Sequence, residues 1–492
     1  MRLFPFSLGR TQTMIGALTL LTAALMLSFD GTRDGDLYLQ LASGRFIATH
    51  GLSAVDPFQT IAHGEPWLNQ QWLAELLVYR VVGWIGITGL TIAYAALLAI
   101  PMALLLWLCR RKGIAMMLAL AALYCPGLWV IVHPRAAGFT LFAFSLLVSI
   151  VVVAWLRPRS PSLATQRLRW AAPGTLLLFA LWVNLHGGFL AGLLLLVLIV
   201  AGLALERRLG LPTALGGRRI LLLALTAVLA TLTATVATPL GGSIWSYLLS
   251  FRNPAISLAS SEWRPAFQSP LAIAYLAVAG AFAVCLWWKS RHSGALTPAL
   301  VTACFLLLGL VALRNIIFVG PAIAPLIATA APDREMRIPR WLIALALAAA
   351  ALVAMIWITT VGPARNERLL SPRLVEYALR HPPRSGHIAT YAGVGSYMLW
   401  RSPRAPVELD GWLEHFSAAE LRGTYALLDG RLTNPMPYVR RLRIGAVIAD
   451  RHRAIEALRM HGFGLEFRTP AGAYLVRRSA ARRGGRGGRA AR

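Results

Sequence analysis

The chain has 492 residues; 57% are hydrophobic, only 14% are charged, and the mean hydropathy is +0.61. Soluble domains average about 25% charged residues, so this composition excludes an ordinary soluble protein and indicates a membrane class. The formal net charge of +28 does not by itself select nucleic acid, because the placement of charge carries that information.

A spanning helix needs about 20 apolar residues. The apolar runs are 11–29, 81–108, 114–132, 138–156, 171–186, 189–205, 220–237, 271–288, 295–313, 316–331 and 341–361. They predict a mainly α polytopic protein with about 11 transmembrane helices. The first run follows Arg2 and Arg10 and reads as a retained signal anchor. Loops 1–10, 109–113, 157–170, 206–219, 289–294 and 332–340 hold 18 Arg and Lys against three acids. The alternate loops, 30–80, 133–137, 187–188, 238–270 and 314–315, hold seven arginines and seven acids. The positive-inside rule places the first set, and the N-terminus, in the cytoplasm. The cysteines Cys109, Cys125, Cys285 and Cys304 have no metal-ligand spacing and form no disulfide framework.

The expected domains are a transmembrane domain, 1–361, whose first external loop is 30–80; a soluble α/β domain, 362–478; and an Arg/Gly-rich tail, 479–492. In the α/β domain, strands are predicted at His387–Tyr391, Val407–Leu409, Gly445–Ala449 and Ala473–Val476, and helices at Ala418–Leu428 and His452–His461. The tail is too Gly-rich and charged to fold. On the external side its partner would be anionic lipid or cell-surface polymer, not nucleic acid.

Polar groups at a bilayer are costly, so their placement is informative. Those between the helices gather on the predicted external face. The first loop carries Asp34, Asp36, His50, Asp56, Glu65, Asn69 and Gln70. "VHPRAAG" supplies His133 and Arg135, "WVNLHGGFL" supplies Asn184 and His186, "SSEWRP" supplies Glu262 and Arg264, and "LRNI" supplies Arg314. Each has a plainer reading. Asp34 or Asp36 is a suitable cap for a helix starting near Leu37, Asp56 before Pro57 a turn former, and the histidines polar helix ends. Arg314 stands between two apolar runs with no loop around it and requires an anion or a carboxylate. Tyr38, Leu41, Ala42 and Phe46 give the segment after Asp36 an apolar stripe suited to lying flat on the membrane.

Chemically, arginines on this face suit the phosphate of a lipid-linked substrate, histidines add donors or charge, and one carboxylate suffices as general base for a single displacement at a sugar carbon. A transporter or flippase, a polymerase or ligase, or a non-catalytic envelope assembly protein are alternatives. The internal repeats of many transporters are not evident in the sequence.

Asp34-Gly35-Asp36, the Tyr38–Phe46 segment and "DPFQTIAHGEPWLNQQWL" (56–73) together resemble the first external loop of the GT-C superfamily of polytopic membrane glycosyltransferases, in the branch of protein O-mannosyltransferases and lipid A aminoarabinose transferases. "HIATYAGVGSYMLW…VELDGW" (387–412) resembles the outside domain of related bacterial membrane proteins. The resemblance implies transfer from a polyprenyl-phosphate-linked sugar on the extracytoplasmic face of a bacterial cytoplasmic membrane, to a glycan, lipid or protein acceptor of the cell envelope, with Asp34 or Asp36 as base. Two features depart from it: Gly35 follows Asp34 where the mannosyltransferase-like pair is Asp-Glu, and "LNQQW" (68–72) replaces a lysine-proline stretch. No cofactor is required by these residues; Mg²⁺ or Mn²⁺ at the first-loop acids is an open alternative.

Overall fold

A chain this apolar buries its backbone polar groups in helices, because lipid offers no hydrogen-bond partners. The computed structural model describes residues 9–27, 35–131, 133–156, 161–213, 215–250, 255–290, 296–334, 338–356 and 372–478. In chain order the first helices are α1 (Arg10–Leu27), α2 (Gly35–His50), α3 (Trp72–Cys109), α4 (Ile114–Leu128), α5 (Ala137–Val151), α6 (Pro161–Leu185), α7 (Phe189–Arg208) and α8 (Gly217–Val236). There follow α9 (Ser243–Ser250), α10 (Ile256–Ala259), α11 (Pro270–Ser290), α12 (Leu296–Val311), α13 (Val319–Ala330) and α14 (Arg340–Ile356). The C-terminal part holds α15 (Pro372–Arg380), β1 (His387–Ala389), α16 (Ala392–Arg401), α17 (Ala418–Leu428), α18 (Met436–Arg441), β2 (Ile444–Ala449), α19 (His452–Met460), β3 (Phe463–Thr469) and β4 (Gly472–Arg477).

The chain divides into two units, one of residues 1–32, 68–249 and 261–362, the other of residues 33–67, 250–260 and 363–492. In the first, every predicted apolar run is helical over its described part. Among the described residues seven helices are long and apolar enough to cross a membrane. With 38 residues, α3 is nearly twice the ~20 that a bilayer requires. Gly86, at φ +69°, interrupts it, so the predicted start at 81 falls inside a shorter leading segment that begins at Trp72. Tyrosine hydroxyls tie helices together by donating to backbone carbonyls: Tyr94 to Ile131 at 3.0 Å, Tyr124 to Leu98 at 2.7 Å and Tyr275 to Leu123 at 2.7 Å. At one end of the bundle, Lys112 pairs with Asp333 at 2.8 Å, and buried Glu206 accepts the Thr297 N–H at 2.7 Å. These groups come from the arginine-rich loop set and the helices it joins.

The second unit is built on a sheet of order β1-β2-β4-β3, with β1 and β2 parallel and the other pairs antiparallel. Ile444, Val447, Ala449, Phe463, Ala473 and Leu475 form its core with Leu427, Leu428, Ile455 and Leu458 of the covering helices. The predicted strand at 407–409 makes only a bridge, Val407 to Ile388, and β3 had not been anticipated. Helix α17 begins with a capping box: Ser417 Oγ accepts from the Glu420 N–H at 3.2 Å, and Glu420 accepts from the Ser417 N–H at 2.7 Å.

Helix α2 belongs to this unit, and it does not have the expected single apolar stripe. Leu37 to Gly44 are all buried, polar Gln40 and Ser43 included. The cause is close packing against α16. A Cβ at Gly35 would lie 2.1 Å from Gly393 Cα, a distance only glycine permits. Arg45 donates to Leu399 O at 2.9 Å and sits over the Trp400 ring at 4.7 Å. Gly35→Ala is therefore expected to destabilise the unit by about 1–3 kcal/mol, seen as a lowered midpoint in thermal unfolding; an unchanged midpoint would disprove the packing argument.

The "DPF…G-x-PW" stretch is a small folding motif. Asp56 Oδ1 accepts the Phe58 N–H at 2.8 Å, the Asp56 N–H donates to Glu65 O at 2.8 Å, and Val55 bridges Pro66. Gly64, at φ +85°, makes the return. Phe58, Trp67 and Trp412 then meet edge to face in succession and Trp412 stacks on His415, with ring centroids 5.6–6.0 Å apart.

Candidate functional site

Four of the predicted site residues meet in the membrane unit. Arg135, in the turn before α5, pairs with Glu262 at 2.7 Å and also donates to Val130 O. Arg314, on the 3₁₀ turn Leu313–Phe318, lies 3.9 Å from the other oxygen of Glu262 and 4.1 Å above the Trp263 ring. His186, in the turn between α6 and α7, is close enough to feel the charges of Arg314, Glu262 and Arg135. Three loops and a helix break thus converge because Glu262 carries the carboxylate that Arg314 requires. Burial alone would raise the Glu262 carboxyl, but Arg135 and Arg314 outweigh it and hold it below the usual glutamate range. Burial first, then Arg314, pushes His186 down to about 3. The imidazole is accordingly neutral at physiological pH and acts as a donor without charge.

Among the described residues the two guanidiniums share one carboxylate, Glu262, and Arg314 holds the looser of the two ion pairs. Arg314 has five N–H donors, yet its contacts among the described residues are one loose ion pair and an aromatic face. Such a cation can take an anion's oxygens in charge-assisted hydrogen bonds.

The other predicted residues have different surroundings. Asn184 tethers helices: its Oδ1 accepts the Trp72 indole N–H at 2.8 Å, and its Nδ2 donates to Ala180 O and Ala237 O at 2.8 and 2.7 Å. His133 lies partly buried in the turn that carries Arg135. Arg264 is exposed, and its carbonyl accepts the Leu313 N–H at 3.0 Å, which anchors the 3₁₀ turn beneath Arg314. Asp36 sits in the first turn of α2, partly exposed, with its carbonyl bound by the Gln40 side chain at 3.0 Å. Asp34 lies outside the described residues. Asp56 is buried in the second unit, its Oδ2 3.1 Å from His415 Nδ1.

Trp263, Thr140 and Trp182 around the cluster were not singled out from the sequence. Aromatic residues are common in apolar runs, and nothing local marks one as the platform for an arginine. Among the described residues no group of three or more His, Cys, Asp or Glu side chains is arranged to hold a metal ion.

Among solved structures the chain is similar to the oligosaccharyltransferase of Archaeoglobus fulgidus, at 12% identity and a TM-score of 0.51 over 94% of this chain and 74% of that one. It is also similar to ArnT from Cupriavidus metallidurans, at 15% identity and a TM-score of 0.54 over 94% of this chain and 97% of that one. No family model matches the sequence, and no curated protein matches it. The likeness spans almost the whole chain and shows that it shares the fold of these two proteins.

Proposed function

We propose that the chain is a membrane glycosyltransferase that moves a sugar from a polyprenyl-phosphate-linked donor to a cell-envelope acceptor on the extracytoplasmic face. The observation that carries this reading is the Arg135–Glu262–Arg314 cluster, in which among the described residues two guanidiniums share one carboxylate, with the neutral His186 beside it, set in a fold shared with an oligosaccharyltransferase. The arginines bind the donor phosphate. The acceptor oxygen attacks the anomeric carbon, the bond to the phosphate oxygen breaks, and its electron pair stays on the phosphate. Fixed positive charge there stabilises the developing negative charge. Asp34 or Asp36 takes the acceptor's proton, and one displacement inverts the anomeric centre. The positive-inside rule supports an N-terminus in the cytoplasm and the 362–478 domain outside, in the cytoplasmic membrane of a bacterium.

The test compares envelope glycans of cells with and without the chain, then assays transfer by the purified protein from polyprenyl-phosphate sugars. Loss of a glycan in the absence of the chain, restored by wild type and not by Asp34→Asn or Asp36→Asn, is the expected result. Full activity in both variants would overturn the base assignment. Accumulation of the lipid-linked sugar across proteoliposomes with no transfer would replace the reading with a transporter.

A further inference from the structure

We infer that Thr140 is a positioning residue that keeps His186 as a neutral Nε2–H donor for the phosphate of the lipid-linked ligand; the inference rests on the function proposed above. The Gly188 N–H donates to His186 Nδ1 at 3.0 Å, which favours the tautomer without a proton on that nitrogen. Thr140 Oγ1 lies 2.9 Å from the same Nδ1 and must be the donor there. Its own oxygen accepts the Trp182 indole N–H at 2.9 Å, which turns the hydroxyl hydrogen toward the imidazole. A directional chain results, from Trp182 on α6 through Thr140 on α5 to His186, and the single ring proton sits on Nε2. That nitrogen makes no hydrogen bond among the described residues.

The second glycine of "HGG" serves this arrangement. At Gly188 φ is −64°, so backbone strain does not require glycine. A Cβ there would instead lie 2.4 Å from Thr140 Oγ1 and would push the hydroxyl away from the ring. The charged groups around the imidazole are Arg314, Glu262 and Arg135; the two arginines resist a second ring proton. An imidazole fixed in this way donates to an anion without competing with the carboxylate for the acceptor's proton.

The experiment uses the full chain in nanodiscs with ¹⁵N-labelled histidine. His186 resonances are assigned by loss in His186→Gln, and farnesyl phosphate and farnesol are titrated as probes. Wild type and Thr140→Ser are expected to show one neutral Nε2–H tautomer from pH 5 to 8 and to prefer farnesyl phosphate to farnesol. Thr140→Val, which leaves the Gly188 N–H as the one donor to Nδ1 among the described residues, is expected to admit the Nδ1–H tautomer beside Nε2–H, to bind farnesyl phosphate roughly 10-fold more weakly, and to bind farnesol as before. A Val variant with unchanged tautomer and affinity would overturn the inference. Equal binding of both probes by wild type would remove the phosphate ligand from the inference and from the proposed function. The tautomer of the Val variant would then still decide whether Thr140 orients the ring.

Discussion

Replacing Glu262 with alanine is expected to destabilise the membrane unit by about 3–5 kcal/mol, because it removes the carboxylate that two partly buried guanidiniums share. The Arg135, Glu262 and Arg314 side chains are 13%, 18% and 26% exposed, so solvent does little to replace the missing carboxylate. The same variant is expected to gain stability from an anion: farnesyl phosphate should raise its unfolding midpoint more than it raises that of wild type, by the linkage between binding and folding. In wild type the folded carboxyl lies below its unfolded value. Its contribution is therefore present above the ordinary glutamate range and is lost only as pH falls through the folded value. Thermal unfolding in detergent, with and without the lipid phosphate, measures both effects. A variant as stable as wild type, or one indifferent to phosphate, would contradict the anion-binding role assigned to the two arginines.

The second unit is expected to weaken as pH rises from about 5 to 8. Burial raises Glu408 to about 7 despite hydrogen bonds from Thr424 and Tyr438. Burial, then the neighbouring Asp56, raises Asp410 to about 7. Both carboxyls are 0% exposed, and Glu408 Oε2 and Asp410 Oδ2 have no hydrogen-bond partner among the described residues. A carboxyl whose folded value exceeds its unfolded one holds an extra proton in the folded state, so stability is highest at acid pH and falls through the folded value. Each ionisation costs on the order of 3 kcal/mol. Burial lowers His415, but its bond to Asp56 and the nearby acids outweigh that and raise it; this stabilisation is likewise lost as pH rises. His387 is lowered, chiefly by burial, and acts in the opposite sense, one group against three. Asp410→Asn should flatten the dependence and stabilise the unit at pH 8. Unfolding followed by tryptophan fluorescence across this range decides the matter, and a flat wild-type profile would refute the account.

The helices were legible because lipid imposes long apolar runs, and Arg314 was legible because a lone arginine between two such runs is costly. Its partner, Glu262, was visible as a polar residue on the same face, but the pairing was not, since 52 positions separate them. The stripe Tyr38–Phe46 suggested a helix lying on the membrane because periodicity reports one apolar face. It is silent about a second face covered through glycines such as Gly35 and Gly393. The "DPF…G-x-PW" stretch stood out by its turn residues, yet the partner of Asp56, His415, lies 359 positions away. Thr140 was invisible for a simpler reason: threonine is an ordinary residue inside an apolar helix, and only three-dimensional proximity to Trp182 and His186 gives it a role.

The weaving of residues 33–67 into one unit with residues 363–492 sets an order of assembly during synthesis. Arg45 must wait for Leu399, 354 residues later, and Ser43 for Trp412, 369 residues later. At roughly 5–20 residues per second, α2 emerges about 20–70 seconds before the strands and helices that cover it. Over that interval Leu37, Leu39 and Leu41 have no native partner from the far end of the chain, and the nascent loop depends on the bilayer surface or a chaperone to stay competent. Ribosome stalling or premature termination before β4 would thus injure residues 33–67, the earliest part of that unit to be made.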